Sequence, residues 1–309
     1  MDSLATGSTA LPPPRAVPVT TEALVRATRR RQRREKIFAH AVLILGILIV
    51  VFPIWVALVG STHDAGTLGR GDVPLLPGTH AVENYTAAWN QGGGRIATGG
   101  AGLMLLNSAL MAVLIAVGKI AISLLSAFAV VYFRFPGRNI AFWIIFITLM
   151  LPVEVRLIPT FQVMVNLQLT DTMTGLVLPL IASATATLLF RQFFMTIPDE
   201  LAEAAKLDGA GPLRFFRDVV LPLSRNSIAA LFVILFIYGW NQYLWPLLII
   251  NDKSLETIVV GLSKMIGTGD SQNEWNTIMA SAVLALLPPV FVVVAMQRWF
   301  VRGLTETEK

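Results

Sequence analysis

Apolar residues along this chain of 309 residues gather into six long blocks, at 37–59, 103–132, 140–160, 174–195, 226–250 and 277–300. At about 1.5 Å per residue, a helix of roughly 20 residues crosses the 30 Å hydrocarbon layer of a bilayer, and every block is that long. The pattern predicts an all-α, polytopic membrane protein with six transmembrane helices. Residues 62–102, rich in Gly, Pro and Asn, read as a loop. Residues 196–223 carry their own punctuation. Pro198 suits a first helical position, with Asp199 and Glu200 in the first turn; Gly209 suits the stop, Pro212 a second start and Pro222 a second end. Leu201, Ala204, Ala205 and Asp208 recur at i, i+3, i+4 and i+7, a face of small residues that lets another surface come close.

Composition supports the membrane reading. With 55% hydrophobic residues, 14% charged residues and a mean hydropathy of +0.67, an ordinary soluble domain is excluded. The chain has no Cys, so it holds no disulfide framework or thiolate metal site, and its three histidines, His40, His63 and His80, are too scattered to suggest a metal centre. The net charge of +5 becomes informative through its positions. Of 24 Lys and Arg residues, 18 fall on the side that holds both termini and the 196–223 loop, five fall on the other side, and Lys119 lies within a span. The positive-inside rule places the richer side in the cytoplasm, so the charge marks topology and not nucleic-acid binding. Residues 1–36, Pro- and Ala-rich and then crowded with Arg26, Arg29, Arg30, Arg31, Arg33, Arg34 and Lys36, are expected to form a disordered cytoplasmic extension. Residues 37–302 form the transmembrane domain and 303–309 a cytoplasmic tail. The first block is too long for a cleaved export signal and reads as a retained anchor.

On the cytoplasmic side, one spacing stands out: Glu203-Ala204-Ala205, three residues, Gly209, nine residues, then Val219-Val220-Leu221-Pro222. It resembles the EAA loop of permeases that belong to ATP-binding-cassette importers. The resemblance covers nearly the whole chain after residue 36, through Phe133–Pro136, Ile147–Arg156, Ser183–Thr187, Phe190–Thr196, Tyr238–Ile250 and Met296–Leu304, and it is to the carbohydrate-uptake permeases of the maltose type. Within them the chain is similar to the branch that imports sn-glycerol 3-phosphate and related glycerophosphodiesters; another sugar or polyol is the alternative. The resemblance implies a type I importer permease fold in the cytoplasmic membrane of a bacterium, a sister permease, two ATPase subunits and an extracytoplasmic solute-binding protein. It also implies that Glu203, Ala204, Ala205, Lys206, Asp208 and Gly209 couple the chain to the ATPase. ATP and magnesium belong to that partner, and this chain binds no cofactor. The basic amino-terminal extension departs from the compact start of that branch. Periodicity alone leaves a second reading of 196–223 open, an amphipathic helix lying on the bilayer surface.

Polar groups inside spans are costly, about 2.5–3.5 kcal/mol for a central charge, and mark candidate substrate contacts. Lys119 stands fifteen residues before Arg134, about 22 Å up its helix from the cytoplasmic end. It fits attraction of an anionic substrate equally with snorkelling or pairing with a partner carboxylate. Glu154 and Arg156 follow Pro152 and fit either an outer vestibule or a structural ion pair. Asn241, Gln242 and Trp245, just before Pro246, fit a pocket lining better than an aromatic belt, because a belt does not account for adjacent amides. Asn107, Ser108, Ser123, Ser126, Ser183, Thr185 and Thr187 read as helix-packing residues. The outer loop 251–276, with Asp270, Glu274 and Trp275, would face the solute-binding protein. Two other classes fit poorly. An ion-coupled secondary transporter is expected to show internal repeats and titratable midplane groups, and a membrane enzyme needs a nucleophile, acid–base pair or metal cluster. The chain also has no G-x-x-x-x-G-K-[ST] loop, so it is expected to be a transport subunit without catalytic residues.

Overall fold

The computed structural model describes residues 21–72, 74–90, 100–148, 153–266 and 274–305. Contacts divide the chain into two units, residues 1–54 and 55–309. The described part of the first is helix α1, which runs over Thr21–Gly60. Within its stretch Gln32–Gly60 an 18-residue window reaches a mean hydropathy of 3.1, long and apolar enough to cross a membrane. Phe38, Leu43 and Ile49 lie exposed along it, as lipid-facing side chains must. The basic run is not irregular as expected: the helix already includes Arg26 through Lys36. Arg dominates that run, with Ala, Gln, Glu and Lys beside it, and all are good helix formers. Residues 1–20, which carry the rest of the expected disorder, lie outside the described residues.

In the second unit the expected outer loop contains two helices, α2 (Ala65–Gly69) and α3 (Ala81–Asn90). Then come α4 (Gly100–Tyr132), α5 (Arg138–Ile147), α6 (Val153–Asn166), α7 (Met173–Val177) and α8 (Ala184–Phe194). The loop region supplies α9 (Asp199–Leu207), α10 (Pro212–Phe215) and α11 (Leu221–Leu223). After it follow α12 (Arg225–Trp240), α13 (Leu244–Ile249), α14 (Ile258–Met265) and α15 (Trp275–Thr305). No strand occurs among the described residues.

Helix α4 is the centre of this unit, packed against α8 and α12, and α12 packs in turn on α15. The packing follows from small residues. Ala112, Ala116, Ser123 and Ala127 on α4 are completely buried, and a Cβ placed on Gly239 of α12 would lie 2.8 Å from the Cα of Ala112. Such a stripe lets backbones approach where lipid offers no hydrophobic drive for association. A large cluster that includes Met104, Phe128, Phe190, Phe194 and Phe236 runs the length of α4, and a smaller one gathers Met111, Ile115, Trp245 and Ile249.

Three described helices are long and apolar enough to cross a membrane, or five if each of two bent pairs counts as one span. Blocks 174–195 and 226–250 are broken at polar joints, whereas 37–59, 103–132 and 277–300 are continuous helices. Block 140–160 divides into α5 and α6, with 149–152 between them outside the described residues. Block 174–195 bends by 50° between residues 173–180 and α8, where Ser183 caps the new helix by accepting from the Ala186 N–H at 3.3 Å. Block 226–250 ends as a helix at Trp240 and restarts at Leu244.

The segment after α13 is bolted to the bundle. The Asn107 amide donates to the carbonyls of Ser254 (2.8 Å) and Glu256 (3.1 Å), and Ser108 Oγ accepts from the Ile258 N–H at 2.8 Å. These two residues therefore hold a loop, where helix-to-helix packing was expected. Asp171 makes a further clip, accepting from the backbone N–H groups of Asn251 and Asp252. Those two amides, that of Asp252 foremost, hold its carboxyl below the usual value of 3.8. A depressed carboxylate stabilises the fold above its ordinary pKa and loses that contribution as pH falls through the folded-state value. Asp171→Asn is accordingly expected to lower the unfolding temperature in detergent by a few degrees at pH 7, with the gap closing towards pH 3. A gap independent of pH would remove the carboxylate from the account.

Candidate coupling loop and translocation site

The loop that starts after α8 is built by backbone rules. Pro198 stands just before the helix, at ψ 137°, one position earlier than expected, and Asp199 and Glu200 occupy the first turn of α9. At the other end Gly209 takes φ +71°. Its N–H donates to the Lys206 carbonyl (3.0 Å), and the Ala210 N–H donates to the Ala205 carbonyl (2.8 Å). This is a Schellman cap, whose left-handed residue is almost always glycine.

The cap folds Ala210 back over a groove of about 330 Å³ lined by Phe128, Tyr132, Ala202, Ala205, Lys206 and Phe215 among others. The inward face of α9 is therefore Ala202 and Ala205, three apart. Of the expected face, Ala205 turns in, whereas Leu201, Ala204 and Asp208 remain exposed with Glu203 and Lys206. Exposed apolar residues continue outward at Leu207 (89%) and Leu213 (78%), so a second apolar surface faces away from the bundle.

Pro222 does not end the second helix. The chain continues from Pro212 through a π-turn at Phe216–Val220 into α11, and the Leu221 N–H reaches the Phe216 carbonyl. A proline ring clashes with the carbonyl four residues earlier, and one wide turn relieves that clash. The bend of 72° comes instead at Ser224, whose buried hydroxyl donates to the Val220 carbonyl at 2.6 Å. On the exposed side of the turn Asp218 pairs with Arg217 (2.7 Å) and Arg214 (3.5 Å), and the Arg217 hydrogen bond holds its carboxyl below the ordinary value.

The second constellation lies where α4, α6 and α12 meet. Lys119 is 6% exposed, and its Nζ sits 3.6 Å from the centroid of the Tyr238 ring, a cation–π contact. Arg156, exposed on α6, is within electrostatic range of both. Gln242 donates to the Tyr238 carbonyl at 3.1 Å across the unwound end of α12. Among the described residues no ion pair involves Lys119 or Arg156. The Glu154 side chain, the other half of the expected pair, lies outside the described residues. No group of three or more His, Cys, Asp and Glu residues arranged for a metal is found among the described residues.

The family model described as "Binding-protein-dependent transport system inner membrane component" matches residues 119–306, well over half of the chain. The chain belongs to this family of transport permeases. It is 58% identical over 273 residues to the "sn-glycerol-3-phosphate transport system permease protein UgpE" of Yersinia pestis, covering 88% of this chain and 97% of the relative. It is 59% identical over the same length, with the same coverage, to the protein of that name from Salmonella typhimurium. A solved bacterial ABC transporter involved in the import of the acidic polysaccharide alginate superposes with a TM-score of 0.76 at 22% identity, covering 88% of this chain and 98% of that one, which establishes the fold. The permease is thus a multi-pass inner-membrane transport subunit and not an enzyme, and its family works with ATPase and substrate-binding partners.

Within the permease, the structure groups the sequence candidates unequally. Lys119, Arg156 and Gln242 come together around Tyr238, which sequence reading did not single out as a site residue; its position one helical turn before Gln242 was the available signal. Asn241 closes α12 and is exposed. Trp245 leaves the candidates: it is 2% exposed and its indole donates to the Gly175 carbonyl at 3.2 Å, so it anchors α13 on α7. In the segment after α13, buried Glu256 pairs with Lys264, which leaves that lysine engaged in structure.

Proposed function

We propose that this permease carries sn-glycerol 3-phosphate into the cytoplasm as the transmembrane subunit of an ATP-driven importer, with glycerophosphodiesters as further substrates. The observation that carries the substrate is the buried Lys119, in no ion pair among the described residues and with Arg156 near it, on a chain 58–59% identical to relatives named for this solute. Two cations that form no ion pair among the described residues suit a phosphate ester better than a neutral sugar or polyol. In this reading six spans cross the bilayer, both termini and the 196–223 loop face the cytoplasm, and Asn241 lines the approach to Lys119. A sister permease of related fold completes the pathway within the lipid, and a solute-binding protein delivers the substrate from outside.

Drive comes from two ATPase subunits, which hold the ATP and magnesium. Glu203, Ala204, Lys206 and Asp208 on the exposed side of α9, with Leu207 beyond them, meet the ATPase, while Ala205 and Gly209 fix α9 to the body of the permease. A rigid element is required here, because a nucleotide-driven displacement reaches the spans only if the contact helix cannot pivot freely. The test is uptake of labelled sn-glycerol 3-phosphate by proteoliposomes that contain the assembled transporter, supplied with binding protein and ATP. Lys119→Met is expected to raise KM about tenfold, the worth of one charge-assisted contact, with assembly retained. Unchanged uptake kinetics would sink the anion site, and transport of a neutral polyol in preference would redirect the substrate.

A further inference from the structure

A buried ammonium without a carboxylate is an unstable arrangement unless something holds it charged and aimed. Around Lys119 that something is the face of Tyr238, 3.6 Å from Nζ to ring centroid. The ring is itself held. Tyr238 packs against the same cluster as Met111, Ile115, Leu157 and Phe161, and its carbonyl receives the Gln242 amide one turn on. Leu157 is the chain neighbour of Arg156, so the residues that seat the ring also set the helix that carries the second cation. The ring therefore faces Lys119 from α12 while Arg156 approaches from α6, and among the described residues no carboxylate forms an ion pair with either.

We infer that Tyr238 is a positioning residue of the anion site: its ring face holds the Lys119 ammonium between α4 and α12 so that Lys119 and Arg156 together receive a phosphate group. This rests on the proposed transport of a phosphate ester. The chemistry of the partition is simple. A ring quadrupole attracts an ammonium enough to orient it, but less than a phosphate carrying a full charge does, so the lysine is held in place without being neutralised. A carboxylate in the same position would orient the lysine too, yet it would repel the substrate. An apolar residue would leave the flexible four-carbon stem free to turn the charge elsewhere.

The test uses the assembled transporter in proteoliposomes, with labelled sn-glycerol 3-phosphate as the probe. Tyr238→Phe keeps the ring and is expected to stay within about twofold of the parent in KM, whereas Tyr238→Leu is expected to raise KM about tenfold with the maximal rate largely kept. The double variant Tyr238→Leu/Lys119→Met is expected to be no worse than Lys119→Met alone, since both remove one interaction. Should Tyr238→Leu fail to assemble, the flexible Tyr238→Met carries the same expectation. Equal losses in the Phe and Leu variants, no loss in either, or losses that add in the double variant would overturn the inference. A clear Lys119→Met effect with a silent Tyr238→Leu overturns the positioning role alone, whereas a silent Lys119→Met overturns the anion site on which it rests.

Discussion

A Gly209→Val permease is expected to insert normally and to lose nearly all ATP-driven uptake. Gly209 sits at φ +71°, where an L-residue costs about 1–2 kcal/mol and a β-branched one more. The cost is not relieved locally, because the same residue orients two cap hydrogen bonds, to the carbonyls of Lys206 and Ala205. Breaking them frees Ala210 from the groove beneath α9 and loosens the angle between α9 and α10. The spans do not depend on this turn, so the protein should still reach the membrane. Three readouts separate the outcomes: abundance in the membrane fraction, co-purification of the ATPase, and solute-stimulated ATP hydrolysis. Gly209→Asn, which tolerates the left-handed region better, should retain a substantial part of the activity. Full transport and full ATPase association in the valine variant would end the coupling assignment of this loop.

The second large effect is expected from Gly239→Leu, and it falls on assembly instead of coupling. Any Cβ at position 239 meets the Ala112 Cα at 2.8 Å, backbone against which no rotamer change helps. Overpacking usually costs about 1–3 kcal/mol, and a clash with a main chain belongs at or above the top of that range. Helices α4 and α12 must then separate, which opens the contact between Lys119 and Tyr238 as well. The expected result is a fall in folded yield and a lower unfolding temperature in detergent, which Ala112→Gly does not rescue, because the Cα and carbonyl oxygen of residue 112 remain in place. An unfolding temperature equal to that of the parent would show that the two helices do not touch at this point. Because the two glycines act through different physics, a pair of assays distinguishes them: Gly209 variants lose ATPase co-purification with the smaller fall in unfolding temperature, and Gly239 variants show the larger fall in unfolding temperature and folded yield.

Much of the 196–223 loop was legible from local rules. Asp199 and Glu200, Gly209 and Pro212 mark a helix, a stop and a restart wherever they occur in that order, since each acts on its own backbone and near neighbours. Pro222 was misread because its effect depends on what the preceding turn does, and a π-turn absorbed it. Leu201, Ala204, Ala205 and Asp208 read as a face that another surface approaches; three of them are exposed, whereas Ala205 joins Ala202 in lining the groove beneath α9. A helix of nine residues with small side chains on several sides has no single apolar stripe, and only the position of Phe128 and Phe215 selects one. Trp245 was assigned to a pocket by its amide neighbours, although its indole is engaged with Gly175, 70 residues away.

The sequence by itself determined that the chain is an all-helical membrane protein, which side of it carries the positive charge, and where the loop between its later spans turns. Those properties follow from block length, from the cost of burying charge and from the φ preferences of Gly and Pro, all of which are local. Only the tertiary structure decided that apolar blocks 174–195 and 226–250 are broken helices, that Gly239 is the crossing point of α4 and α12, and that Lys119 rests on Tyr238, 119 positions along the chain. A buried ammonium advertises that it needs a partner. Which group supplies it depends on how two helices cross, and that is a matter of packing between distant segments.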